Sequence, residues 1–311
     1  MLQPSPTRHL HDRMEIRALI RTFPPRLVDE VLAEHQRRTP RSVLYTVLAQ
    51  HLLTTRTSTD ILRLLAHALD TQRRPGWQLP NGPTALAQAH QRLGPGPLKS
   101  LFGRLCHAES AQTRYRRWRL ITLHEVLFAL PPTHANVQHY GGPNARLTTL
   151  TAYGTPTTLA ARITPHHATD FSGVLKPGTL LFATPLPSAP ERLWERWRRF
   201  RATGADLVWE VGQGTELPVH TPLDDGTYLT RPTSVRVLHR SERLITTLTD
   251  PLAAPGNELV TLHHHQHRAT APARSDTTRL DTPTPRITEQ HIWAELLIHH
   301  HRHNPPQVRL T

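Results

Sequence analysis

Two histidine runs are the first residues in this sequence with the composition of a chemical site. "LHHHQHRAT" carries His263, His264, His265 and His267, and "HHHRH" carries His299, His300, His301 and His303. Neutral imidazole binds borderline metals such as Zn²⁺, Ni²⁺ and Cu²⁺. Consecutive side chains, however, diverge around a helix or across a strand, so they cannot all face one ion. A designed site draws spaced ligands, as at i and i+4, together with a carboxylate or thiolate. The runs therefore read as solvated low-complexity segments that bind metal adventitiously, and no physiological metal site is expected. Nucleophilic chemistry finds no support either. The single Cys106 ends a helical pattern with no motif around it, and there is neither a Gly-x-Ser-x-Gly turn nor a phosphate-cradling glycine loop. What remains is arginine. "YRRWR" at 115–119 and "ERWRRFR" at 195–201 interleave guanidinium groups with aromatic rings, which suits phosphate contact and base stacking. Arg116, Arg117 and Arg119, with Arg37, Arg38, Arg41, Arg56, Arg73 and Arg74, are the DNA-contact candidates. Trp194 and Trp197 stand three residues apart, which anchors a helix to a sheet and leaves the arginine between them on a solvated face.

The elements that must position these groups change character along the chain. Residues 14–110 carry helical periodicity and predict an all-helical N-terminal domain. "RLVDEVLAEHQRR" puts Leu27, Val28, Val31 and Leu32 on one face, behind the prolines of "RTFPP", which halt one helix and can open the next. "SVLYTVLAQHLL", "STDILRLLAHALD", "PTALAQAHQRLG" and "GPLKSLFGRLCHAES" continue the pattern, with Ser58 or Thr59 as an N-cap. From about 115 the period changes to that of strands. "RLITLHEVLFAL", "ARLTTLTAYG", "TTLAARIT", "PGTLLFAT", "ADLVWEV", "SVRVLHR" and "RLITTLTD" are strands. "PERLWERWRRFRATG" is an amphipathic helix closed by Gly204, and "LPVHTPLDDGTYL" is a hairpin turning at Asp225-Gly226. The residues after 263 are dominated by His, Thr and Pro. Only "ITEQHIWAELLIHHH" keeps a stripe there, through Ile292, Leu296 and Leu297. The expected layout is a helical domain (14–110), a core (115–262) with a β-rich insertion at about 205–250, and a tail (263–311) with one short helix.

Lys plus Arg number 37 against 24 Asp plus Glu, giving a formal net charge of +13. Nucleic acid is the partner such a balance favours, because each neutralised phosphate releases counterions. A GC-rich genome produces the same surplus of Arg, Pro, His and Thr. One cysteine excludes a disulfide framework and fits a reducing compartment. There is no run of about 18 apolar residues and no apolar signal core near the N-terminus, so a soluble, cytoplasmic protein without membrane association is expected.

Five blocks carry a resemblance. "RTFPPRLVDEVLAEHQRR", "PTALAQAHQRLGPGPLKSLFGRL", "LKPGTLLFAT", "RATGADLVWEV" with "ELPV" and "DGTYL", and "LITTLTDPLAAPGNEL" resemble, in order, the insertion-element-four group of DDE transposases, in particular its actinobacterial subgroup. The resemblance implies a helical N-terminal domain before a ribonuclease-H-like core of α/β (α+β) type. It also implies DNA cleavage and strand transfer by three carboxylates holding two Mg²⁺ ions, which prefer hard oxygen ligands. In this chain the three matching positions are His124, in "LITLHE", Thr184, after "LLFA", and Thr270, in the register set by "NELVTLHH". That register also places His263, Gln266 and Thr277 where the family's tyrosine, arginine and lysine stand. With the triad replaced, the resemblance implies a degenerate, C-terminally shortened relative that needs no cofactor. Its partner would be DNA, transposon ends or non-specific duplex, with the oligomeric state open. Nearby acids do not substitute: Glu125 faces the other side of its strand from His124, and Asp170 and Asp276 lie in segments read as loops. Two alternatives stay open, a relic reading frame without a stable fold and an active nuclease with a divergent acid set.

Overall fold

The computed structural model describes residues 6–36, 41–69, 79–105, 113–164, 171, 173–183, 190–212, 214–231, 235–239, 243–270 and 277–303. They divide into two units, one of residues 1–105 together with 282–311, the other of residues 106–281. Overall the chain is α+β, a helical N-terminal region followed by a mixed sheet with helices. Among the described residues no helix is long and apolar enough to cross a membrane.

The first unit is helical because its apolar residues recur at helical spacing and its prolines fall at helix starts. α1 (Pro6–Thr22) ends where Pro24 and Pro25 open α2 (Pro25–Glu34), with Pro25 in the first turn, where its missing N–H costs nothing. α2 buries Val28, Val31 and Leu32, the stripe legible in the sequence. α3 (Arg41–Leu52) is buried continuously from Ser42 to Ala49, so it is the centre of the unit rather than a surface helix. α4 (Ser58–Leu69), α5 (Pro83–Leu93) and α6 (Gly96–Leu105) complete the N-terminal series. The seventh member comes from far along the chain. The helix Pro285–His303 (α10) buries Ile292, Trp293, Ala294, Leu296, Leu297 and Ile298, packing on α3, α5 and α6. Trp293 meets Phe102 with ring centroids 5.3 Å apart, and His301 Nδ1 lies 2.7 Å from Thr22 Oγ1. Here the expectation for 263–311 differs from the structure: instead of a tail with one short helix, the described residues form two helices and a strand. The reason is that the histidines extend helices that also bury Leu259 or Ile292, Trp293, Leu296 and Leu297, so composition masked the pattern.

The second unit is built on one sheet. Its strands are β1 (Arg114–Tyr115), β2 (Trp118–Ala129), β3 (Asn144–Ala152), β4 (Thr158–Thr164), β5 (Thr179–Ala183), β6 (Asp206–Glu210), β7 (Thr221–Pro222), β8 (Tyr228–Thr230), β9 (Val235–His239), β10 (Leu244–Thr246) and β11 (Thr277–Arg279). The order is β4-β3-β2-β5-β6-β10-β9-β8-β7, with β1 and β11 also paired to β2. β2, β3 and β4 are an antiparallel meander, whereas β2, β5 and β6 run parallel. Parallel neighbours need a crossover, and α8 (Pro190–Arg201) supplies it between β5 and β6. The residues expected as a β insertion at 205–250 do not form a separate layer. β6 is a parallel strand of the central sheet, and β10, β9, β8 and β7 extend that sheet by antiparallel pairing. A short helix absent from the sequence reading, α7 (His134–Tyr140), is capped by Thr133, whose hydroxyl accepts from the Asn136 N–H, and ends at Gly141 in the left-handed region (φ 70°).

Strand alternation sorts the sheet into two apolar faces. Ile121, Leu123, Leu181, Leu207 and Trp209 pack with Leu193, Trp197 and Phe200 of α8. Leu120, Leu180, Phe182 and Val208 pack on the other face with Leu259, Val260 and Leu262 of α9 (Gly256–Thr270).

Candidate functional site

The face under α9 collects the positions the resemblance singled out. His124 is the fourth residue of β2 after Leu120 and therefore shares its face, and it stands opposite Thr149 of β3. Its neighbour Leu123 pairs with Ala183, the last residue of β5. Thr184 itself lies outside the described residues, as do Asp170, Asp276, Cys106, Arg37, Arg38, Arg73 and Arg74. On α9, Leu259, His263 and Gln266 are buried at spacings of four and three, which marks the helix face that looks onto the sheet. Thr270 is the last residue of α9. The first histidine run is thus split by the helix: His263 is 3% exposed, while His264 and His265 are exposed. It is a sheet-facing helix turn rather than a solvated low-complexity segment.

One acid at this face escaped the sequence reading. Glu210 ends β6 two residues after Val208 and lies on the α9 side, its Oε2 4.0 Å from Nε2 of His263. Alternation within "DLVWEV" was the signal that could have found it, since Glu210 keeps the phase of Val208. Thr122 and Thr151, cross-strand partners in the same interior, bury hydroxyl oxygens that have no hydrogen-bond partner. Among the described residues no group of three or more His, Cys, Asp or Glu side chains is placed to hold a metal ion. The buried donors are imidazole, amide and hydroxyl. That donor set does not fit a pair of Mg²⁺ ions, which require several carboxylate oxygens.

Glu125 does not belong to this site. It turns to the α8 side, where its Oε1 accepts from Arg196 at 2.6 Å, with Thr148 Oγ1 at 3.3 Å and Arg146 at 3.4 Å. Its carboxylate is 1% exposed and Arg196 7%, a buried charge cluster that ties β2 and β3 to α8. Arg196 therefore departs from the solvated face expected for it, because the strand offers it a buried carboxylate. Trp197 is buried against Trp209, 6.0 Å between centroids, and Trp194 packs partly buried beside it, so the tryptophan pair does anchor α8.

The described arginine candidates for DNA contact mostly have protein partners. Arg41 pairs with Asp29 at 2.9 Å. Arg56 is held by Asp12 through Nε at 2.9 Å and Nη2 at 2.5 Å, with both side chains largely buried. Arg116 pairs with Glu258 at 3.1 Å and donates to the carbonyls of Leu252 and Ala253. Arg119 donates to the Val174 carbonyl at 2.7 Å, and its burial lowers its pKa. Arg117 lies over the Trp118 ring, 4.6 Å from the centroid, and is exposed.

Comparison with known proteins reaches one part of the chain. Residues 13–103, all within the helical unit, match the family model of the insertion element 4 transposase N-terminal region. No curated protein and no solved structure matches the chain.

Proposed function

We propose that this chain is a transposase-derived DNA-binding protein of the insertion-element-four type whose second unit is a ribonuclease-H-like core that has lost its acidic triad. The observation that carries the reading is the family match over 13–103. The strand order supports the core assignment: an antiparallel meander β4-β3-β2 joined to parallel β5 and β6 is the arrangement expected of such a core. The pairing of β2 with β5 next to His124, and the burial of His263 and Gln266 on α9, support reading this face as the former catalytic face. With His124, Thr184 and Thr270 at the three acidic positions, the chain lacks the ligands for Mg²⁺-dependent cleavage and strand transfer. DNA binding without cutting is the activity that remains, and such a protein would compete with active copies for transposon ends.

Two assays test this. Mobility shifts on duplex DNA over a salt series should show salt-sensitive binding, and no shift at any salt removes the DNA-binding claim. On the same DNA, no nicking is expected with Mg²⁺ or Mn²⁺. Metal-dependent nicking abolished by Glu210→Gln would overturn the inactive assignment and make Glu210 part of a divergent acid set. A cooperative thermal melt is expected, and a featureless one would favour the relic reading.

A further inference from the structure

Three arginines with no acid partner among the described residues stand in one row on α1, away from the positions that sequence clustering favoured. α1 turns Ile16 and Leu19 inward, with Asp12 buried against Arg56. Its outward side carries Arg13, Arg17 and Arg21, all exposed and each four residues from the next. Successive members of such a stripe share one helix face and advance about 6 Å along the axis. Among the described residues none of the three makes a hydrogen bond or ion pair. Elsewhere in the helical unit Arg41 pairs with Asp29, Arg56 with Asp12, and Arg104 with Glu30 and Glu34. The other acid on α1, Glu15, lies 4.0 Å from His11.

A groove of about 410 Å³ adjoins this stripe between α1 and α4, with Leu10, Arg13, Arg63, Leu64 and His67 in its wall. Its one uncommitted-looking acid, Asp60, accepts from Thr57 Oγ1 at 2.7 Å and faces Arg63 at 3.5 Å, and these contacts lower its pKa. His67 Nδ1 is 2.9 Å from the Arg63 carbonyl, which leaves Nε2 for the groove. Leu10 and Met14, 60% and 59% exposed, flank the arginines.

We infer that the outer face of α1, with Arg13, Arg17, Arg21 and the adjoining α4 groove, is a surface that grips the phosphate backbone of DNA. This rests on the DNA-binding reading above and locates it. Guanidinium forks recognise phosphate oxygens in pairs, and a row of them can follow a polyanionic strand without reading its bases. Leu10 and Met14 would lie against the apolar faces of the sugars. A phospholipid surface fits less well, because the apolar side of α1 is already buried in the helical unit and cannot enter a bilayer.

The test measures binding of the full-length protein to a short duplex of arbitrary sequence over a salt series, by fluorescence anisotropy. Three proteins are compared: the unaltered chain, Arg13→Gln/Arg17→Gln/Arg21→Gln, and an equal charge loss elsewhere, Lys176→Gln/Arg231→Gln/Arg279→Gln. Each altered side chain is exposed, and unchanged circular dichroism melts confirm that the folds survive. The α1 variant should lose affinity at least about tenfold at low salt, and its slope of log K against log salt should fall by about 2–3. The control variant should keep most of both. If the two variants lose binding equally, net charge alone is responsible and the surface is refuted. If the α1 variant binds as the unaltered chain does, the surface is refuted while DNA binding stands. If the unaltered chain does not bind, the DNA-binding reading fails and takes the surface with it. Loss of binding to anionic vesicles with DNA binding intact would assign α1 to lipid and overturn the inference.

Discussion

Substituting Glu125 separates a structural acid from a catalytic one. Its carboxylate and the Arg196 guanidinium are 1% and 7% exposed and meet at 2.6 Å, with Arg146 and Thr148 completing the cluster. Glu125→Gln keeps the shape but removes the charge, so Arg196 is left as a buried cation without a counter-ion. Breaking a buried pair from one side costs about 3–5 kcal/mol. The glutamine oxygen can still accept one hydrogen bond, which places this case near the lower end, about 3 kcal/mol. The cluster's net charge returns to its original value in Glu125→Gln/Arg196→Met, where the more exposed Arg146 is the cation that remains and the methionine can fill the space beside Trp209. That double variant should recover about 1–2 kcal/mol of the loss, because an unpaired buried charge is worse than none. Urea denaturation followed by tryptophan fluorescence reads the second unit through Trp118, Trp194, Trp197 and Trp209. A loss below about 1 kcal/mol for Glu125→Gln, or a double variant less stable than the single one, would refute the structural role.

Three further outcomes follow from the geometry. Burial holds the pKa of His90 and His299 near 4, below the ordinary 6.5. Their folded forms resist a proton that the unfolded chain accepts, so stability is full above pH 6.5 and is lost as pH falls towards 4, by about 2 kcal/mol each once partial exposure is allowed for. Urea titrations at neutral and acid pH should show a smaller acid loss in His90→Gln/His299→Gln, and an equal loss in both proteins would refute it. Gly204→Ala should lower the melting temperature, since Gly204 has φ 81° and an added Cβ would sit 2.8 Å from Pro177 Cγ. Together these cost about 2–3 kcal/mol, and an unchanged melt would contradict the described turn. Tyr153→Phe removes the hydrogen bond that the Tyr153 hydroxyl donates to the Leu262 carbonyl at 2.6 Å. About 1 kcal/mol and faster amide exchange along α9 are expected, with unaltered exchange as the contrary result.

Local pattern made most elements readable and long-range pairing made the rest unreadable. α2 announced itself because one face is apolar and the other charged, and β5 because five buried residues in a row need a strand covered on both faces. α10 gave only a partial stripe because it is buried on most of its circumference, which erases the contrast that periodicity depends on. α9 was obscured by composition, since histidine serves on both its buried and exposed sides. The placement of β6 in the central sheet depends on its pairing with β5 and β10, information that no short window contains. The site shows the same division. His124 and the α9 positions were read from the register of the resemblance, whereas the pairing of Arg56 with Asp12, 44 residues apart, could not be read from clustered charge. The isolated arginines of α1 are identified by what the other arginines touch.

The helical unit is closed by a segment that is translated long after its other helices. α3 is buried from Ser42 to Ala49 in part by α10, which lies more than 230 residues downstream. At about 5–20 residues per second, synthesis from α6 to the end of α10 takes roughly 10–40 s. For that interval the nascent N-terminal helices carry an apolar face with no native cover, and they must wait, associate with a chaperone, or meet the same face of another nascent chain. Excision of residues 1–105, the segment that contains the family match, would make that interim state permanent.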